Sequence, residues 1–169
     1  ARIETARHHS ATHLLHLALR EILGSGVGQA GSSVDSERLR FDFTYPKSLT
    51  SEQLLKIENN VNSQISKGGA SKTEIMDINE ARKSGAIAMF SEKYGDKVRV
   101  LTLGESKEFC GGTHVRNLWE IGSFYIVKES GVSAGVRRIE AVCSKAAINY
   151  AKNFRNEFLE VQNALKSNE

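Results

Sequence analysis

Four side chains of metal-ligating type stand in two separated pairs, His9 with His13 and Cys110 with His114. The first pair lies in Arg7-His8-His9-Ser10-Ala11-Thr12-His13, a stretch of helical character. Side chains four apart on a helix stack on one face, so both imidazoles can point at one spot. The second pair brackets Gly111-Gly112-Thr113, where two glycines let the backbone turn tightly between a thiol and an imidazole. One thiolate and three imidazoles are a suitable donor set for zinc. A lone histidine is usually a surface or hydrogen-bonded side chain, but two pairs at ligand spacing make a shared metal the better explanation. Two further histidines blur the assignment: His8 points to another face, and His16, one turn beyond His13, can substitute for a ligand. Cys143 sits in an apolar stretch and reads as a small buried side chain.

The chemistry open to such a site is bounded by what is missing from it. A helical metalloprotease motif places a glutamate directly after its first histidine as general base; here that position is Ser10, and no acid lies between His9 and His13. Protease chemistry is thereby disfavoured. Four protein ligands usually close a structural zinc site, whereas a catalytic zinc keeps a position for water or substrate. The residues leave both uses open, and no side chain stands out as a general base.

The elements that must bring these pairs together follow from apolar periodicity. Thr5 to Leu23 is expected to be a helix, with Leu14, Leu15, Ala18 and Ile22 as its buried stripe and Gly24 as its stop. Gly24 to Ser33 is rich in small residues and carries Gln29, as a ligand-hugging loop or a plain lead into a strand would. Leu39 to Tyr45 alternates, with Leu39, Phe41 and Phe43 on one face, as a half-buried antiparallel strand does. Thr50 with Gln53 has the pattern of a capping box, opening a helix buried along Leu54, Ile57, Val61 and Ile65 and ended by Gly68-Gly69. A strand at Lys72–Ile78 and a short helix at Asn79–Lys83 lead to Ala86–Phe90 and a turn at Glu92–Asp96. Lys97–Leu103, Gly122–Glu129 and Val136–Cys143 read as strands, the last two joined by a turn over Ser130–Gly135. The expected fold is α+β, a mainly antiparallel sheet packed with helices and followed by a long C-terminal helix.

In that last helix Ala147, Ala151, Phe154, Phe158, Val161 and Leu165 repeat at heptad steps. The seam suits an oligomer or a linker, and a helix packed back on the sheet would also carry it. The seam still runs at Leu165 and residue 1 is not Met, so a piece of a longer protein is expected. The division read from this is a domain at 1–144 and a heptad helix at 145–169. A chain of 169 residues, 40% hydrophobic, can build an ordinary core. Two cysteines are too few for a disulfide framework, and these residues show neither a signal-peptide pattern nor an apolar run of about 18 residues. A cytoplasmic protein without a membrane partner is expected. The net charge of +3 permits a nucleic-acid partner without demanding one.

His9-Ser10-Ala11-Thr12-His13-Leu14-Leu15 and Cys110-Gly111-Gly112-Thr113-His114-Val115 together resemble the paired zinc motifs of the alanyl-tRNA synthetase editing domain. The resemblance continues through Leu39–Phe43, Glu92–Val100 and Gly131–Ala141, and so covers the chain to about Ser144. Free-standing alanyl-tRNA editing proteins share much of it, and threonyl-tRNA synthetase editing domains share the ligand spacing more loosely. It implies a zinc-dependent deacylase that hydrolyses the ester of serine or glycine on an alanine-specific tRNA. It further implies zinc on His9, His13, Cys110 and His114, with Thr12 and Gln29 at the amino-acid pocket; Ser32 or Ser33 can stand in for Gln29. Aminoacyl esters are reactive, so such a site chiefly holds the ester, positions a water and stabilises an oxyanion. Thr12 can bond a serine hydroxyl, although a threonine there can equally back-bond to its own helix. Gly111 and Gly112 can let a substrate without a hydroxyl approach closely. Arg137, Arg138, Lys67 and Lys72 are candidate phosphate contacts, though basic pairs are commonly plain surface. Nothing resembles an ATP-binding or aminoacylation core, and a non-catalytic tRNA-binding module with structural zinc is the alternative from another class. The implied partners are the acceptor end of the tRNA and the rest of a synthetase chain.

Overall fold

The computed structural model describes residues 1–88 and 94–166. Its helices are α1 (Arg2–Leu23), α2 (Ser51–Lys67), α3 (Ile78–Lys83) and α4 (Ser144–Lys166), with one 3₁₀ turn at Leu118–Ile121. Its strands are β1 (Gln29–Val34), β2 (Leu39–Thr44), β3 (Lys72–Asp77), β4 (Lys97–Leu103), β5 (Ser106–Phe109), β6 (Phe124–Ser133) and β7 (Val136–Cys143). The strands form two sheets, ordered β1-β2-β7-β6 and β3-β4-β5, and every strand pairing in them is antiparallel. The fold is α+β, as the alternation of apolar residues implied, but the strands divide between two sheets.

Period-2 patterning sets the register of the larger sheet. Leu39 pairs with Ala141 and Phe41 with Ile139, and all four side chains are buried on the face beneath α1. On the opposite face Asp42 stands across from Arg138, and the two form a paired salt bridge at 2.7 and 2.8 Å. α2 is opened by the expected capping box, with Thr50 accepting from Gln53 N–H and Gln53 returning to the Thr50 N–H. Its Ile57, Val61 and Ile65 join Leu14, Leu15, Leu19, Phe41 and Phe43 in the main core. A smaller core of Ala81, Ala86, Val98, Val100 and Phe109 holds the second sheet to α3.

Three elements differ from their sequence readings. Gln29–Ser33 is an edge strand with a bulge between Gln29 and Gly31, because it pairs with β2. Ser106–Phe109 is an additional four-residue strand, too short for alternation to show, and it delivers the chain to Cys110. The hairpin between β6 and β7 is tighter than expected: β6 continues to Ser133, and Gly135 takes a positive φ of 73°. Within the expected Ala86–Phe90 and Glu92–Asp96 segments, residues 89–93 lie outside the described residues.

α1 touches strands of both sheets, α2, the 3₁₀ turn and α4. Most of its residues from Ala6 to Leu19 are buried, including His8, Ser10, Thr12, His13 and His16. Burial along α4 is uneven. Ala147 is fully buried, whereas Phe154, Phe158, Val161 and Leu165 are 64%, 55%, 58% and 67% exposed.

The outer edge of β6 is fastened by α2. Asn62 Nδ2 donates to the Phe124 carbonyl at 2.8 Å and Asn62 Oδ1 accepts the Phe124 N–H at 2.9 Å, while Glu58 accepts the Ile126 N–H at 2.7 Å. Asn62→Ala leaves two backbone groups without their partner and is expected to destabilise the fold by about 1–3 kcal/mol. The exposed Asn59→Ala is expected to stay within about 0.5 kcal/mol of the parent. Urea unfolding of the two variants measures the difference.

Candidate metal centre

His9 and His13 project from successive turns of α1, and the segment after β5 brings Cys110 and His114 to them. One ligand atom from each of the four lies within 4.8 Å of the others. Cys110 Sγ is 3.3 Å from His114 Nε2 and 3.6 Å from His9 Nε2. Zinc bonded at about 2.0–2.1 Å to nitrogen and about 2.3 Å to sulfur spaces tetrahedral ligands by roughly 3.5 Å, so both separations suit a common ion. His13 Nε2 is buried and has no hydrogen-bond partner among the described residues, as a nitrogen reserved for a metal would be. The residues present therefore fit a zinc ion.

Backbone contacts hold the Cys110–His114 segment at both ends. Cys110 N–H donates to the Arg99 carbonyl, and Arg99 Nη1 donates back to the carbonyls of Cys110 and Gly112 at 2.7 and 2.8 Å. At the far end Val115 N–H donates to Ser10 Oγ at 3.0 Å, while the Ser10 hydroxyl donates to the Ala6 carbonyl. Ser71 Oγ donates to the Val115 carbonyl at 2.6 Å. Below the cluster the carboxylate of Glu108 receives His13 Nδ1, and His16 Nδ1 lies 2.6 Å from its other oxygen.

Charge in the cluster is shared unevenly. Burial disfavours a Cys110 thiolate, but His114, His13 and His9 outweigh it and hold the thiol down at about 3. Burial likewise opposes ionised Glu108, and His13 with His16 draws it down to about 2. Burial also opposes a charge on His13, yet Cys110 and Glu108 push it up to about 9. His114 is lowered, by burial first and then by the neighbouring His13 and His9. Two negative groups thus surround the deepest imidazole, and a divalent cation can take the place of the proton they attract.

Each residue singled out from sequence has a definite place. His8 is buried outside the cluster; its Nε2 accepts the Cys143 N–H and its Nδ1 faces the Glu4 carbonyl, with burial lowering its pKa. His16 faces Glu108 rather than joining the four ligands. Cys143 is fully buried, which pushes its thiol up to about 12. Thr12 is buried and its hydroxyl donates to the His8 carbonyl at 2.9 Å, the back-bonded arrangement. Gln29 Nε2 donates to Ser32, and its Oε1 is buried without a hydrogen-bond partner among the described residues. Gly111 is exposed and a Cβ there would meet open space, whereas Gly112 packs against the His9 ring. Arg137 and Arg138 bind Glu129 and Asp42, and Lys72 pairs with Glu74 at 2.9 Å. Lys67 is largely exposed, with Glu105 at 4.0 Å.

Sequence reasoning missed Glu108, Ser10 and Arg99. A usable signal for Glu108 was its position two residues before Cys110, together with His13 and His16 one turn apart on a helix. It also missed a cleft of about 500 Å³ beside His114, lined by Arg2, Ala6, Thr113, Arg116 and Glu120 among others.

A Cβ on Gly112 would overlap the His9 imidazole, coming 2.6 Å from Nδ1. Gly112→Ala is expected to displace that ligand at a cost of about 1–3 kcal/mol, read as a fall of about 5- to 150-fold in zinc affinity. Gly111→Ala, facing open space, is expected to leave affinity unchanged. Competition with a chromophoric chelator compares them.

Residues 98–140 match the family model described as the threonyl and alanyl tRNA synthetase second additional domain. That stretch holds Glu108, Cys110 and His114, while His9 and His13 lie before it. The chain is 63% identical over 175 residues to an alanine–tRNA ligase of Campylobacter jejuni subsp. jejuni, covering 100% of this chain and 21% of that protein. It is 60% identical over 166 residues to that of Helicobacter hepaticus, covering 98% and 19%. With that of a Sulfurovum species it is 54% identical over 168 residues, covering 99% and 20%. The chain thus spans about a fifth of the length of the curated relatives it matches. It is an alanyl-tRNA synthetase segment that carries the second additional domain of threonyl and alanyl tRNA synthetases.

Proposed function

We propose that this segment is a zinc-dependent editing domain, hydrolysing the ester that joins serine or glycine to an alanine-specific tRNA. The observation that carries the reading is the convergence of one thiolate and three imidazoles beside an open glycine. His9, His13, Cys110 and His114 would hold the ion, His13 at the buried end and the half-buried other three toward solvent. When bound, zinc supplies a fixed positive charge for the oxyanion that develops on the ester carbonyl.

In the reaction a water oxygen bonds to the acyl carbon, the bond to the ribose oxygen breaks, and that oxygen takes a proton. Gly111 leaves room for the acyl group to approach. The Thr12 hydroxyl proton is committed to His8, so toward a serine hydroxyl Thr12 acts as an acceptor; Gln29 Oε1 offers a second one. A site that hydrogen-bonds the substrate hydroxyl rejects an analogue without it far better than an apolar pocket does. Glycine is admitted on size alone. Arg2 and Arg116, exposed in the cleft beside His114, suit acceptor-end phosphates, and the largely exposed Lys67 and Lys72 suit phosphates further along the tRNA. The exposed seam Phe154, Phe158, Val161 and Leu165 suits contact with the rest of a synthetase chain or with a second copy. The cytoplasm is the proposed location.

One observation favours the other reading, a tRNA-binding module with structural zinc: four protein donors are close enough to fill a tetrahedral shell. Ester loss from seryl- and alanyl-tRNA separates the two. The editing reading expects rapid, chelator-sensitive loss of the seryl ester with the alanyl ester spared; equal slow loss of both contradicts it. His13→Ala is expected to lose zinc and at least about 100-fold in rate together, the several kcal/mol a metal supplies. Full rate without zinc refutes the role of the ion. Arg116→Ala is expected to keep zinc and to reduce the salt dependence of tRNA binding by a slope of about 0.7–1.

A further inference from the structure

Glu108 is 1% exposed and lies directly beneath the metal centre. Its Oε2 meets His13 Nδ1, and its Oε1 meets His16 Nδ1 at 2.6 Å. The opposite nitrogens of both rings, His13 Nε2 and His16 Nε2, are buried with no hydrogen-bond partner among the described residues. An ionised carboxylate only accepts hydrogen bonds, so each Nδ1 facing it carries a proton. A neutral imidazole protonated at Nδ1 keeps its lone pair on Nε2.

We infer that Glu108 is a positioning residue, which by accepting from His13 and His16 together fixes the His13 tautomer and turns its bare Nε2 to the metal. The inference rests on the metal reading above and adds to it what orients the deepest ligand. His16 has a part in the same device. It occupies the second carboxylate oxygen and so keeps Glu108 from swinging round to become a ligand itself. Charge balances as well: the Glu108 carboxylate and the Cys110 thiolate together neutralise the two charges of a zinc ion in a largely buried site. Buried partners of this kind orient metal-bound histidines in general, and their loss weakens binding by about 10–100-fold.

Glu108→Gln separates this role from simple packing, because glutamine matches glutamate in size but has one acceptor and one donor. Its amide can accept from only one of the two rings. The other must either flip its tautomer or face a second donor. Glu108→Asp keeps both acceptor oxygens on a stem one carbon shorter.

The test is zinc affinity by chelator competition on the full chain, with folding checked by circular dichroism. It is joined by ¹⁵N-histidine NMR of the zinc-loaded parent. Parent affinity is expected to exceed that of Glu108→Asp, which exceeds that of Glu108→Gln, the last falling by about 10–100-fold. In the loaded parent, His13 is expected to show a slowly exchanging Nδ1–H with the metal on Nε2. Equal affinity in parent and Glu108→Gln, or tighter binding by Glu108→Gln than by Glu108→Asp, overturns the inference and leaves the metal reading standing. Metal on His13 Nδ1 overturns it without recourse to variants. A parent chain that takes up no zinc removes the metal reading and this inference together.

Discussion

A buried helix can carry three histidines, a serine and a threonine only if each of their polar atoms has somewhere to go. In α1 that requirement shapes much of the surrounding chain. His8 caps the Cys143 backbone, Ser10 receives Val115, Thr12 turns back on its own helix, and His13 with His16 share Glu108. An unpaired buried polar group costs about 1–3 kcal/mol, so these five placements are bound up with the stability of the fold itself. Among these five, one nitrogen each of His13 and His16 stays without a hydrogen-bond partner among the described residues, and that of His13 lies where Cys110 and His114 arrive. At His13 a metal would supply the partner that the fold does not.

The same constraint explains why the smaller sheet exists beside the larger one. β4 supplies Arg99 to grip the carbonyls of the Cys110–Gly112 segment, and β5 supplies Glu108 and leads the chain to Cys110. α1 supplies the other half of the centre and is itself held by the main core of Phe41, Phe43 and the α2 stripe. A metal bound here would tie a helix to a loop roughly a hundred residues later. Its affinity therefore reports on the docking of the two sheets as much as on four side chains.

Much of this was legible before any coordinates. The i, i+4 histidines imply a common face, and the paired glycines imply a tight approach; Gly112 against the His9 ring is that approach realised. The alternation of Leu39, Phe41 and Phe43 marked the central strand correctly, and Thr50 with Gln53 marked the start of α2. Glu108 was not legible because its significance is tertiary: an acid in a four-residue strand looks like surface until His13 and His16 are seen above it. Arg138 was equally illegible as to its partner: in sequence it is a candidate phosphate contact or plain surface, and only cross-strand register sets it against Asp42. The heptad seam of α4 was visible in sequence, but which of its residues pack inward depended on where the sheet ends.

The electrostatics and the proposed chemistry meet at one point. Thiolate and carboxylate lie on either side of His13, and the solvent-facing side is built from glycine, threonine and half-buried imidazoles. The carboxylate lies at depth, the thiolate lies level with the half-buried imidazoles, and space is left at the surface, an arrangement suited to an ion that a small ester can reach. X-ray absorption at the zinc edge of the purified chain tests the central claim most directly. One sulfur at about 2.3 Å and three nitrogens at about 2.0–2.1 Å are expected around one zinc per chain. A shell without sulfur, or a chain that holds no stoichiometric zinc, would contradict it.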